Sequence, residues 1–327
     1  EIGVNTVQYV QPLLKLRKIS MANNDFDFSV NDSDIKTPIV DTVVDEDSNT
    51  HVSHTTTPNV QPQIPADTAP FIVLCGPPAS GKSMVLKSLA SYLYESGEGY
   101  TITANRTLLN TQKYQNDCEY FNSIIGDPNT RMPNTVDYLM ADIIDKTGNV
   151  VAHFLEAPGE DFFSLTNYER EPNIPFKHYM EKVAQTSPNS NKQRKVIYII
   201  LLDLDSTTSF RNSQALRQKY QDKMIKLYNR FVLDHPSRVI LLYNKVDLPQ
   251  NGLWANANGC RNIKAVKNDA EENYRNLFFT RKFLFWDIED FSFLPYCTGS
   301  YPDDGSYTAS GPAYPAALWK EITKQLW

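Results

Sequence analysis

Gly76-Pro77-Pro78-Ala79-Ser80-Gly81-Lys82-Ser83 fits the phosphate-loop pattern G-x-x-x-x-G-K-[ST] at every fixed position. Its flanks have the character the pattern requires. Phe71-Ile72-Val73-Leu74-Cys75 is a continuous apolar run, as in a strand covered on both faces. Ser83 to Tyr94 carries Val85, Leu86, Leu89, Ala90 and Leu93 at helical spacing. A strand, loop and helix in this order turn backbone N–H groups inward as an anion nest, and the helix N-terminus adds positive potential. Gly81 lets the backbone approach a phosphate. Lys82 is expected to reach the β- and γ-phosphate oxygens, and Ser83 to ligate Mg²⁺. The loop alone does not choose a base.

Outward from this loop, the pattern alternates. Thr107 to Ile125 reads as a weak helix, and Tyr138 to Asp145 and Val150 to Glu156 as strands joined by the tight turn Lys146-Thr147-Gly148-Asn149. Phe176 to Ala184 reads as a helix, Ser187 to Lys195 as a polar loop, and Val196 to Leu202 as the strongest buried strand. Gln214 to Phe231 follows as a long helix, then the strand Val239 to Tyr243, the helix Ile263 to Phe278, the strand Phe291 to Tyr296 and a final helix Pro315 to Leu326. Strands alternating with helices predict an α/β fold: a doubly wound, mainly parallel sheet of six main strands between helices. The hairpin is expected to add one antiparallel strand at an edge.

The strand Val239-Ile240-Leu241-Leu242-Tyr243 runs straight into Asn244-Lys245-Val246-Asp247, at the carboxyl end where α/β sheets bind ligands. Guanine shows two adjacent donors, N1–H and N2–H₂, which one carboxylate such as Asp247 accepts together. Adenine presents a lone pair at N1 and repels that carboxylate. Asn244 is expected to bridge the phosphate loop and the base edge, with the stem of Lys245 across the purine face.

With both motifs in place, residues 70–327 resemble the Ras-like and translation-factor (TRAFAC) class of P-loop GTPases, whose domain is a three-layer P-loop NTPase fold. The wording around Gly-Pro-Pro-Ala-Ser-Gly-Lys-Ser and Glu-Ala-Pro-Gly-Glu-Asp also resembles bacterial double-GTPase families. The resemblance implies binding of GTP and GDP, Mg²⁺, hydrolysis, and a protein effector or regulator on the switch regions. Glu156-Ala157-Pro158-Gly159 stands where the class has D-x-x-G. Glu156 would hold a metal-bound water at a longer reach than Asp. Gly159 would give its N–H to the γ-phosphate, and Glu160 would take the water-orienting place. Thr135 is the best match for the switch I threonine, with Thr130 its rival, and Arg131 for an arginine acting in cis. An exposed loop arginine is the blander reading of Arg131. Thr298 and Gly299, after the last strand, match the loop whose backbone meets guanine O6, and a simple strand-ending turn is an equal alternative.

Composition narrows the rest. Residues 1–69 hold ten Asp/Glu against four Lys/Arg, so the remaining chain carries 28 of each sign and is neutral. A neutral body offers no long-range steering to nucleic acid. The tail 1–69, rich in Asp, Asn, Thr, Ser and Pro, is expected to be a flexible polar segment outside the domain. The longest apolar runs are strand-length, so no membrane span is expected. Cys75, Cys118, Cys260 and Cys297 show no metal-site or C-x-x-C spacing and read as free thiols in the cytoplasm. His153, inside a strand, reads as a satisfied core residue, and the other histidines form no zinc pattern.

Two other functions fit parts of the sequence. An ATP-dependent enzyme of AAA or kinase type would place Asp203 on Mg²⁺, but Asp205 is not the adjacent acid an AAA protein needs, and Asn244 to Asp247 would have no role. A GTP-binding scaffold with little turnover is the other, prompted by Glu156 and Glu160.

Overall fold

The computed structural model describes residues 62–132, 138–159, 176–185, 193–203, 214–233, 235–248, 254–283, 286–300 and 306–327. Their centre is a seven-stranded sheet. Its strands in chain order are β1 (Phe71–Cys75), β2 (Tyr100–Ala104), β3 (Leu139–Asp145), β4 (Val150–Glu156), β5 (Val196–Asp203), β6 (Arg238–Asn244) and β7 (Ser292–Pro295). Their order across the sheet is β7-β6-β5-β1-β4-β3-β2. Strands β7, β6, β5, β1 and β4 are mutually parallel, while β3 is antiparallel to both of its neighbours. The helices are α1 (Lys82–Ser96), α2 (Gln112–Ile124), α3 (Phe176–Ala184), α4 (Gln214–Phe231), α5 (Ile263–Tyr274) and α6 (Ala313–Leu326).

Local chemistry explains these elements. Every residue of β1 and β5 is buried, as continuous apolar runs in a parallel sheet require. Helix α1 starts at Gly81 (φ 90°) and stops at Gly97 (φ 68°), both left-handed. Thr111 caps α2 by accepting from Tyr114 N, and Asn262 caps α5 by accepting from Ala265 N. In the β3–β4 turn, Asp145 Oδ1 accepts from Thr147 N at 2.8 Å and Asn149 N at 3.0 Å, with Gly148 at φ 86°. The hairpin therefore forms where the sequence places it.

Four expectations are corrected. The sheet has seven strands, not six: Tyr100–Ala104 is an additional strand. The antiparallel strand β3 is consequently one place inside the edge, which β2 occupies. The second helix starts at Gln112 rather than Thr107, because Asn105 Oδ1 folds the preceding residues into a turn through Thr107 N and Oγ1. The last correction concerns the tail. Residues 62–69 are bound to the body: Gln63 N donates to Leu108 O at 2.9 Å, Ile64 packs on the core, and Arg194 Nη2 donates to Pro65 O and Asp67 O. Residues 1–61 lie outside the described residues. Among the described residues no helix is long and apolar enough to cross a membrane. All four cysteines are free.

Candidate functional site

The carboxyl ends of β1, β4, β5 and β6 bring the sequence motifs together. The Gly76–Ser83 loop leaves β1, with Ala79 at φ 60° and Gly81 at φ 90°. Pro77 and Pro78 have no N–H, so Ala79 to Ser83 supply the loop's backbone donors. Lys82 is buried and donates from Nζ to Gly76 O at 2.9 Å and Pro77 O at 3.1 Å. Gly81 lies close under β6: a Cβ there would stand 2.6 Å from Asn244 Nδ2. That leaves no room for a larger residue.

Asn244 ends β6 and is fully buried. Its Nδ2 donates to Ser80 O at 2.8 Å. Lys245 follows in the left-handed region, at φ 63°, a conformation that costs energy for a side chain of this kind. It directs Nζ to Ala79 O at 3.1 Å and to Asp203 Oδ2 at 3.3 Å. Asn244 and Lys245 thus both hold the carbonyl side of the Gly76–Ser83 loop. Asp247 is half-buried beside Cys297, whose thiol pKa is raised by burial, then by the charge of Asp247 and by the hydrogen bond to it. Val246 N donates to Tyr296 O and Tyr296 N to Tyr243 O, which ties this segment to the one leading into Thr298. Thr298 is buried and its carbonyl accepts from Tyr307 Oη. Gly299 takes φ 136°, and a Cβ there would fall 2.2 Å from Thr308 O. This position requires glycine.

Glu156 closes the site from β4. It is 1% exposed, and Ser83 Oγ donates to its Oε1. Burial pushes its carboxyl up to about 7, against the opposing pull of Ser83 and Lys82. Gly159 rests on the rim of the loop, where a Cβ would lie 2.4 Å from Pro78 N. Buried atoms without partners gather here. Ser80 Oγ, Glu156 Oε2 and Asn244 Oδ1 are half of the six such side-chain atoms among the described residues. Each forfeits a hydrogen bond that a bound ligand, ion or water can supply.

The remaining expected residues divide. Arg131 is exposed; its carbonyl accepts from Tyr120 Oη at 3.4 Å, and the next residue, Met132, donates its N–H to Met84 Sδ near the head of α1. Thr130 is bonded to Asp127 within its own turn. Thr135, Glu160 and Asp205 lie outside the described residues. Asp203 and Cys297 were not grouped with Asn244 to Asp247 from the sequence. The Asp203 contact arises from strand register, which pairs it with Asn244 across β5 and β6, and Cys297 is brought in by the bond from Val246 N to Tyr296 O. Among the described residues no three His, Cys, Asp or Glu converge as a metal-ion cluster. A cation here would therefore need ligands beyond protein carboxylates.

No family model matches the chain, and no curated protein matches it. Solved structures similar to it include the following two. The S. cerevisiae Ski7 GTPase-like domain bound to GTP has 14% identity and a TM-score of 0.36, and the same domain bound to GDP and inorganic phosphate has 12% identity and a TM-score of 0.33. Each match covers 81% of this chain and 51% of the other, so this chain spans about half the length of those structures' chains.

Proposed function

We propose that residues 70–327 form a three-layer, doubly wound G domain that binds GTP and GDP, hydrolyses GTP with Mg²⁺, and acts as a conformational switch read by a protein effector. The observation that carries this reading is the seating of Asn244 on Ser80 O and of Lys245 on Ala79 O. That contact supports the reading because it joins the Asn244–Asp247 segment directly to the Gly76–Ser83 loop, so that one nucleotide could touch both.

In this reading the N–H groups of Ala79 to Ser83 receive the phosphates, and Lys82 leaves Gly76 O and Pro77 O to neutralise their charge. Asp247 accepts from guanine N1–H and N2–H₂, with Asn244 Oδ1 free to meet the base edge and the Thr298–Gly299 backbone beside O6. Ser83 and Glu156 fit a hard cation: two adjacent oxygen groups, one with an orphaned oxygen, next to the phosphate nest. Mg²⁺ held there would neutralise charge on the phosphates. Gly159 would sense the γ-phosphate, Glu160 and Thr135 would complete the catalytic arm, and Arg131 would approach from the loop near the head of α1.

The ATP reading is disfavoured because Asp203 is engaged by Lys245, while the carboxylate on Ser83 is Glu156. Phosphate release from GTP and from ATP, with and without Mg²⁺, tests the proposal. The expected result is Mg²⁺-dependent release from GTP that Lys82→Ala abolishes. GTP binding without release would leave a non-hydrolysing scaffold and refute the hydrolase part.

A further inference from the structure

Among the described residues, two that are not glycine take the left-handed backbone region: Ala79 at φ 60° and Lys245 at φ 63°. That conformation is costly for a residue with a side chain and persists where neighbours hold it. The two belong to different motifs, 166 positions apart, yet they are bonded to each other, Lys245 Nζ to Ala79 O at 3.1 Å. The same Nζ lies 3.3 Å from Asp203 Oδ2. The Asp203 side chain is 1% exposed, against 20% for Lys245. A buried carboxylate is costly without a cation, so the pair draws the ammonium inward, onto the loop carbonyl. Asp203 is itself fixed. It pairs with Asn244 across β5 and β6, and its carbonyl accepts from the buried Tyr274 Oη at 3.0 Å. On the other side, Lys245 opens a turn closed by Leu248 N on Lys245 O at 3.3 Å, and Asp247 lies within that turn. Through one ammonium, Asp203 holds the strained residue of the Gly76–Ser83 loop and the strained residue that begins the Asp247 turn.

We propose that Asp203 is a positioning residue: its carboxylate, acting through Lys245 Nζ, keeps the phosphate loop and the Asp247 turn in their binding shapes before a nucleotide arrives. The inference rests on the guanine-nucleotide reading above and deepens it. Without the carboxylate, Nζ can turn to solvent, and Ala79 and Lys245 can relax toward ordinary backbone. Binding must then restore both, and that ordering cost subtracts from affinity. A diphosphate and a triphosphate use the loop and the turn alike, so both lose equally. Asp203 acts here without touching Mg²⁺, unlike the metal-side acid of an ATP-dependent enzyme.

The test is calorimetric titration of the full chain with GDP and with a non-hydrolysable GTP analogue, each with and without Mg²⁺. Asp203→Ala should weaken both nucleotides about tenfold, by the same factor whether or not Mg²⁺ is present. Asp203→Asn keeps the shape and a neutral acceptor. It should weaken both about fivefold, and it decides the matter should the Ala variant not fold. Lys245→Met keeps an unbranched apolar stem and removes the ammonium. On that background either Asp203 substitution should add no further loss, because the route from Asp203 to the loop is already cut. Unchanged affinity, or a loss that persists in full on the Lys245→Met background, makes Asp203 merely structural and overturns the inference. A loss confined to one nucleotide or to the Mg²⁺ titrations makes it a phosphate- or metal-side acid and overturns it too. Each of these leaves guanine-nucleotide binding intact. A wild type that binds neither nucleotide overturns the site reading, and the inference with it.

Discussion

Strand β4 holds two buried ionisable groups three residues apart, and they are treated in opposite ways. His153 has both ring nitrogens satisfied: Nδ1 faces Asp142 at 2.7 Å and Nε2 faces Asp67 at 2.9 Å. Burial opposes its charge, but the two carboxylates outweigh that and raise its pKa above the usual 6.5. Glu156 has one oxygen on Ser83 and the other without a partner among the described residues, and burial drives its pKa up to about 7. A buried polar group with every partner in the chain fastens the fold. One with a missing partner is strain the fold tolerates for another purpose. His153 stands near the start of β1, against Phe71, and pins residues 62–69. Glu156 stands at the other end, where the loop motifs meet.

Substitutions should separate the two ends cleanly. At the Glu156 end the largest effect is expected from Lys82→Ala. GTP affinity should fall on the order of a thousandfold by calorimetry, with thermal unfolding nearly unchanged, because phosphate charge loses its nearest side-chain counter-charge. A large drop in melting temperature instead would make Lys82 a fold residue and erase the contrast.

Glu156→Gln should cut the Mg²⁺-dependent gain in GTP affinity about tenfold. The same variant should raise the melting temperature of the nucleotide-free protein by about 3 °C at pH 8. The sign follows from its pKa. A carboxyl at about 7 when folded and 4.5 when unfolded holds its proton better in the native state. Its penalty is absent below about 4.5 and complete above about 7. Destabilisation of the metal-free protein by Gln would contradict the strained-carboxylate account.

At the His153 end the effect belongs to stability alone and is the smallest. The raised pKa of His153 contributes stability that is full below 6.5 and lost as pH rises through the folded value. Asp67, pulled below 3.8 by its bond to His153 against its own burial, contributes above 3.8 and loses that as pH falls through its folded value. The latch is therefore strongest between about 4 and 6.5. Asp67→Asn should remove roughly 1 kcal/mol at pH 5.5 and less at pH 8.5, since Asp67 is partly solvated. Glu156 titrates in the same direction, so denaturant melts of wild type and variant are compared at each pH. GTP affinity should not move. A change in it would show that the two ends are coupled.

Much of the fold was legible because its central strands are buried on both faces. β1, β5 and β6 appear as unbroken apolar runs, and the two motifs adjoin them. Tyr100–Ala104 was missed because an edge strand of five residues shows only a brief alternation, with Ile102 and Ala104 buried and Thr101 exposed. Residues 62–69 look like a linker because much of their attachment uses backbone groups and the rest rests on the single side chains Ile64 and Asp67, too few to mark the composition. Asp203 on Lys245 and Lys87 on Asp127 O join residues about forty positions apart, and only the folded chain brings them together. The Asn244–Ser80 contact spans far more chain, yet the motif pair foretold it, since each half has a recognisable pattern of its own.

The central claim is that Asp247, beside Cys297 and three residues after the Asn244 that holds the Gly76–Ser83 loop, reads guanine. Competition of GTP, XTP and ATP against a fluorescent GDP analogue tests it on wild type and Asp247→Asn. Xanthine has a carbonyl at C2 where guanine has an amine, and the Asn amide donates to that carbonyl while still accepting from N1–H. Wild type should prefer GTP over both competitors. The variant should lose GTP affinity by about a hundredfold and gain XTP in its place. A wild type that prefers ATP, or a variant that keeps full GTP affinity, would contradict the account.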